Sequence, residues 1–235
     1  MNVLIACEES QAVCKAFRER GHRAFSADIQ ECSGGHPEWH IQTDVLQVLN
    51  PTQQYIPGDS WHGFKFRTAD GKLHCIEGQW DLIIAHPPCT YLSNAGARWL
   101  YAGGELNLER YKKGLDGKKF FLELLNSDCP RIAIENPIPS RIYNLPPYTQ
   151  TIQPYHYGEP WSKKTCLWLK GLPPLTPTST ISDHKPFCVS GSYSKTHDPK
   201  FKGASRKGGS AKSRSKTFPG IAAAMAEQWG GLEEK

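Results

Sequence analysis

The sequence predicts an open α/β fold whose central sheet is doubly wound and mostly parallel, with helices on both faces. Strand-like and helix-like segments alternate from the N-terminus onward. The strand-like segments include short continuous apolar runs such as Leu82-Ile83-Ile84, typical of a strand buried on both sides. The length, 235 residues, suits one such core with an insertion and is short for two full domains.

The elements follow in order. Val3–Ala6 reads as a buried strand. Ser10–Arg20 has helical spacing, with Val13, Ala16 and Phe17 on one side and Gly21 where a helix C-terminus favours glycine. Arg23–Ala27 is a second strand ending in Asp28, and a weaker extended stretch precedes Asp44. Pro51–Gly78, with Gly58, Gly63, Gly71 and Gly78, reads as a loop or hairpin insertion. Trp80–Ala85 is the next strand, and Leu106–Leu125 is mostly helical in pattern despite Gly114 and Gly117. Arg131–Ile134 is a buried strand ending at Glu135-Asn136-Pro137, and Thr151–Tyr157 with Lys164–Leu169 form a final pair. Gly171–Thr217 is rich in Pro, Ser, Gly, Lys and Arg and too poor in aliphatics to build a core. Pro219–Trp229 returns to helix, with Ile221, Ala224, Met225 and Gln228 on one face and Pro219 in the first turn. The predicted organisation is one catalytic domain from 1–170 plus 217–235, carrying the 51–78 excursion and a small basic insert at 171–216.

Composition narrows the setting. No stretch approaches the roughly 20 apolar residues needed to cross a bilayer, and the N-terminus runs into Glu8 and Glu9 without a signal-like apolar core. The eight cysteines are scattered with no Cys-x-x-Cys pair, so neither a disulfide framework nor a metal site is indicated. A cytoplasmic monomer with reduced thiols is expected. The net charge of +5 is only mildly basic and says little about a polyanionic partner.

Ligands of open α/β sheets bind beyond the carboxyl ends of the strands. Asp28, Asp44, Cys89 and Glu135 all lie at such ends. An acid after the second strand is placed to accept hydrogen bonds from a ribose diol, although one Asp after a strand is more often a capping residue. Cys89 stands apart from Cys14, Cys129 and Cys166, which read as small core hydrophobes. It follows a buried strand in the turn His86-Pro87-Pro88-Cys89, where two prolines stop the sheet and hold the next side chain rigidly. A thiol there suits an activated nucleophile.

Pro87-Pro88-Cys89 with Ser93 and Gly96 resembles the catalytic Pro-Cys loop of the DNA cytosine-5 methyltransferases. Glu135-Asn136-Pro137 is similar to that family's Glu-Asn motif, and Gly158–Thr165 resembles the segment bearing its paired arginines. Phe218-Pro219-Gly220 occupies the place of its last motif. The motifs occur in family order across nearly the whole chain, and the compact form resembles phage or prophage members. Two features depart from the pattern. The glycine-rich first loop is replaced by Cys7-Glu8-Glu9-Ser10-Gln11, and the paired arginines by Lys163 and Thr165. Lysine keeps the charge of arginine but loses its bidentate geometry.

The resemblance implies a Rossmann-like class I fold that uses S-adenosyl-L-methionine to methylate carbon 5 of cytosine in DNA, in a bacterial or phage-infected host cell. It implies catalytic roles for Cys89, Glu135, Asn136 and Lys163. It implies cofactor contacts from Cys7, Glu8, Ser10, Asp28, Ile29, Asp44, Val45, Pro87, Phe218 and Pro219. Ser93, Asn94 and Arg98 belong to a loop that would close over DNA, while Lys207, Lys212, Arg214 and Lys216 of the insert would contact phosphates. A solvated basic linker is the plainer reading of the insert. Three rival functions remain open: a DNA amino-methyltransferase acting on adenine or cytosine exocyclic nitrogen, an inert DNA-binding relative, and an enzyme acting on free nucleotides. Against the amino-methyltransferase, His86 and Cys89 replace the ends of the Asp/Asn-Pro-Pro-aromatic motif.

Overall fold

The computed structural model describes residues 1–51, 54–55, 62–97, 99–102, 104–187 and 216–232. In chain order the elements begin with β1 (Asn2–Ala6), α1 (Ala12–Glu19), β2 (Arg23–Asp28), β3 (His40–Gln42) and α2 (Leu46–Leu49). Then come β4 (Gln54–Tyr55), β5 (His62–Arg67), β6 (Leu73–Glu77), β7 (Leu82–Ala85) and α3 (Asn94–Ala97). Next are β8 (Tyr101–Ala102), β9 (Glu105–Leu106), α4 (Leu108–Leu125), β10 (Ile132–Pro137) and β11 (Gln150–Ile152). The chain closes with β12 (Trp161–Ser162), β13 (Thr165–Lys170), β14 (Lys185–Pro186) and α5 (Pro219–Gly230).

Seven strands form the central sheet in the order β3-β2-β1-β7-β10-β13-β11. Neighbours from β3 to β10 are parallel, whereas β13 runs antiparallel to both β10 and β11. This late strand slipped in reverse between two earlier ones completes an open, mostly parallel Rossmann-like sheet. Side chains alternate across a strand, so the apolar runs feed two cores. Leu4, Ala6, Phe25, Ile83 and Ile134 face Phe121 and Leu124 of α4 on one side of the sheet. Val3, Ile5, Leu82, Ile84 and Ala133 face Val13 and Phe17 of α1 and Ile221, Met225 and Trp229 of α5 on the other. Burial on both faces is the reason these strands lack polar alternation.

Four segments differ from the sequence expectation or add to it. The 51–78 region is the expected hairpin, β5-β6, extended by β4 to three antiparallel strands, and it contributes to the core. Phe64, Phe66 and Ile76 are buried with Phe25 and Trp80, and the Phe25 and Phe66 rings meet edge to face at 4.9 Å. Helix α4 starts at Leu108 because Asn107 caps it, its side chain accepting the Arg110 N–H at 2.9 Å; Leu106 lies in β9. Gly114 is tolerated there because a Cβ would overlap the Tyr143 ring. Beyond Ile152 the expected strand gives way to a 3-10 turn at Pro154–His156. The start of the 171–216 region belongs to the core as well: Leu175 is buried, and the Phe187 ring packs on Phe218 at 4.8 Å.

Candidate functional site

The strand order reverses between β1 and β7, and the crevice beyond their carboxyl ends is where this fold class takes ligands. On the β7 side, register builds the site. Ala85 of β7 lies opposite Ile134 of β10, so the next residues, His86 and Glu135, emerge side by side. The His86 Nδ1–H donates to Glu135 Oε2 at 3.0 Å, and the Thr217 hydroxyl donates to the same oxygen at 3.2 Å. The two side chains are only 10% and 11% exposed. Burial by itself pushes a carboxyl pKa up. Here the hydrogen bond and charge of His86, the charge of Lys163 and the Thr217 hydroxyl outweigh it and hold Glu135 at about 2. For His86, burial favours the neutral ring, but Glu135 and the nearby Glu8 prevail and its pKa is raised. The pair is therefore ionic. His86 Nε2 is buried and has no hydrogen-bond partner among the described residues.

Cys89 follows on the Pro87-Pro88 turn and is partly exposed. The buried Asn136 amide donates to the Pro87 carbonyl at 3.3 Å, tying the turn to β10. The Ser93 N–H donates to the Cys89 carbonyl at 3.1 Å, closing the turn on its far side. Lys163 is held through its backbone N–H, which donates to Gln153 Oε1 at 2.8 Å. Its ammonium lies 5.7 Å from the Phe218 ring centroid. Cys89, Glu135, Asn136 and Lys163 thus share one end of the sheet.

The loop after β1 adopts left-handed backbone at Cys7 and Gln11, each with φ 59°, a conformation that glycine reaches without strain. Glu8 turns inward. Its carboxylate accepts the N–H groups of Val13 at 2.7 Å and Cys14 at 3.2 Å, capping α1 from beneath. That gives Glu8 a structural part in holding the start of α1. Burial raises the Cys7 thiol pKa, and Asp28 and Asp44 add to the effect, which brings the three residues into one electrostatic neighbourhood. Asp28 accepts the Gln30 N–H at 2.9 Å and Asp44 the Leu46 N–H at 3.0 Å. Ile29 is 73% exposed beside them. Val45 is buried in the core. Pro87 is likewise buried. Ser10, Phe218 and Pro219 meet in a cleft of about 660 Å³ between the length of α1 and the start of α5, joined by Lys15, Lys216 and Thr217.

Among the residues expected at DNA, Asn94 is exposed, but Ser93 is 4% exposed with its hydroxyl accepting the Gly96 N–H, a turn-closing role rather than an outward one. Lys216 is exposed and its ammonium donates to Ser33 Oγ at 3.3 Å. Arg98, Lys207, Lys212 and Arg214 lie outside the described residues. Sequence reasoning missed His86 and Thr217 as members of the site. A histidine between a buried strand and a Pro-Pro turn was a visible signal; Thr217 carried none.

No known protein-family profile and no curated protein matches the chain by sequence. Among solved structures, the chain is similar to a protein described as a DNA modification methyltransferase encoded within an E. coli prophage. The TM-score is 0.43 at 14% identity, and the match covers 77% of this chain and 52% of the other, so the chain spans about half of that protein's length. The fold assignment rests on the strand order and the reversed β13 and not on this likeness. Among the described residues no helix is long and apolar enough to cross a membrane.

Proposed function

We propose that the chain transfers a methyl group from S-adenosyl-L-methionine to carbon 5 of cytosine in DNA through a covalent Cys89 adduct. The observation that carries the reading is a thiol on a Pro-Pro turn whose carbonyl is held by Asn136, beside a buried carboxylate at the end of the neighbouring strand. Cytosine is too electron-poor at carbon 5 to attack a methyl donor unaided. Addition of the Cys89 thiolate to carbon 6 makes carbon 5 enamine-like and nucleophilic. Glu135 protonates or hydrogen-bonds ring nitrogen 3 as charge develops there, and Lys163 supplies a compensating positive charge. The target base is stacked inside a duplex and must be flipped out to reach the thiol.

The donor, when bound, supplies an electrophilic sulfonium methyl. The residues present suit such a ligand. Asp28, at the end of the second strand, suits a ribose diol, exposed Ile29 offers an apolar surface for a purine, and Asp44 is the acid we assign to its amino group. The loop reaches left-handed backbone at Cys7 and Gln11 without glycine. Ser10, Phe218 and Pro219 line the adjoining cleft.

The test is trapping on a duplex containing 5-fluorocytosine, where carbon 5 cannot lose a proton after methylation. The protein should remain attached through denaturing electrophoresis, and Cys89→Ser should abolish attachment. Methylation of the exocyclic nitrogen instead would favour the amino-methyltransferase reading.

A further inference from the structure

We infer that His86 is a positioning and proton-storing residue for Glu135, an acid–base partner that lets this carboxylate enter the reaction ionised and act as an acid. The inference deepens the proposed cytosine-5 chemistry and rests on it. Three observations carry it. Strand register fixes His86 and Glu135 as neighbours at the ends of β7 and β10, with 3.0 Å between Nδ1 and Oε2. Thr217, from the segment leading into α5, donates to that same oxygen and holds it from a third element. The imidazole is nine-tenths buried, yet its Nε2 has no partner among the described residues, an arrangement that core packing alone does not favour.

A carboxylate this well solvated by donors cannot by itself protonate ring nitrogen 3. His86 solves the difficulty. As the Cys89 thiolate adds, the S–C6 bond forms and the C5–C6 π pair shifts toward nitrogen 3, which takes a proton from Glu135. Glu135 takes the Nδ1 proton of His86, leaving a neutral imidazole. Once carbon 5 carries the methyl group, its proton leaves to a solvent base, the S–C6 bond breaks, and the nitrogen 3 proton returns through Glu135 to His86. The thiolate and the pair end as they began, and the one proton released comes from carbon 5. The charged and titratable groups facing His86 are Glu135 on β10, Glu8 in the loop after β1 and Lys163 before β13, with the Thr217 hydroxyl before α5. Two carboxylates against one ammonium favour keeping the imidazolium until the chemistry calls on it.

The decisive variant is His86→Asn, whose amide can still donate to Glu135 but holds no transferable proton. Single-turnover trapping on 5-fluorocytosine duplex should be measured from pH 5.5 to 9, together with calorimetric cofactor affinity. Wild-type trapping should slow as the pH rises through the His86 pKa. In His86→Asn that alkaline limb should vanish and the maximum rate should fall about tenfold or more, with cofactor affinity unchanged within about twofold. A variant with the wild-type rate and pH profile would show a hydrogen-bonding role only and overturn the inference while leaving the cytosine-5 reading intact. Absence of trapping by the wild type would overturn both. Should His86→Asn fail to fold, the imidazole ¹⁵N titration of the wild type and of Glu135→Gln decides. His86 should hold its proton well above its ordinary range in the former and lose that advantage in the latter, and equal titration would overturn the pairing.

Discussion

Two loops leave adjacent parallel strands where the sheet order reverses, and each meets a buried carboxylate in its own way. In Cys7–Gln11 the carboxylate of Glu8 is satisfied by two backbone N–H groups of α1. Beside His86–Cys89 the carboxylate of Glu135 is satisfied by an imidazole and a hydroxyl from two other elements. Burial wins at Glu8, whose pKa is raised; side-chain partners win at Glu135, whose pKa falls to about 2. Backbone donors are fixed by the helix and exchange no proton with the carboxylate, whereas a histidine does. The first loop's carboxylate thus holds the start of a helix, whereas the second loop sets an ionisable partner beside its carboxylate.

The comparison breaks most readily at Cys89. Cys89→Ser should lower turnover on the order of 10⁴-fold or more while circular dichroism and melting temperature stay as in wild type. A fold change on that substitution would make Cys89 a packing residue. Next, Glu135→Ala strands the His86 imidazolium, and breaking a buried pair costs about 3–5 kcal/mol, readable by urea unfolding. The pH sense follows from the shifts. The Glu135 contribution is present above the ordinary carboxylate pKa and is lost as the pH falls through about 2. The His86 contribution is present below the ordinary imidazole pKa and is lost as the pH rises through its raised folded value. Unfolding free energy in wild type minus Glu135→Ala should therefore shrink at both extremes; a difference independent of pH would deny the ion pair.

On the scaffold side, Glu8→Ala should cost about 0.5–2 kcal/mol through loss of a helix cap, leave single-turnover trapping within a few fold below the His86 pKa, and move its alkaline limb to lower pH because Glu8 helps raise that pKa. A selective loss of chemistry there would return Glu8 to the active machinery. Asp28→Ala should weaken S-adenosyl-L-methionine binding by about 1–3 kcal/mol, and unchanged calorimetric affinity would remove Asp28 from the site. The smallest effect belongs to Lys216→Ser, which should flatten the salt dependence of DNA binding by about one counterion; an unaltered slope would favour the solvated-linker reading of the basic insert.

Much of this was legible in the sequence because both sheet faces are covered, which leaves continuous apolar strands and puts polar residues at their ends. Asp28, Cys89 and Glu135 became candidates by that position. The 51–78 unit was harder to read because its glycines resemble loop punctuation, while the inward pair Phe64 and Phe66 occupies only one short strand. The inward turn of Glu8 and the burial of Val45 were not legible, because they depend on α1 and on the core beneath. The partnership of His86 with Glu135 needs β7 and β10 to be neighbours in parallel register, information that the chain spreads over 49 positions. Thr217 joins them only because α5 returns to the sheet.

The central claim is best tested by isotope release. A duplex labelled with tritium at carbon 5 of cytosine should lose tritium to water in a one-to-one ratio with methyl groups incorporated, since methylation at that atom displaces its hydrogen. Methyl incorporation with the tritium retained would contradict the account and move the reaction to another atom of the base.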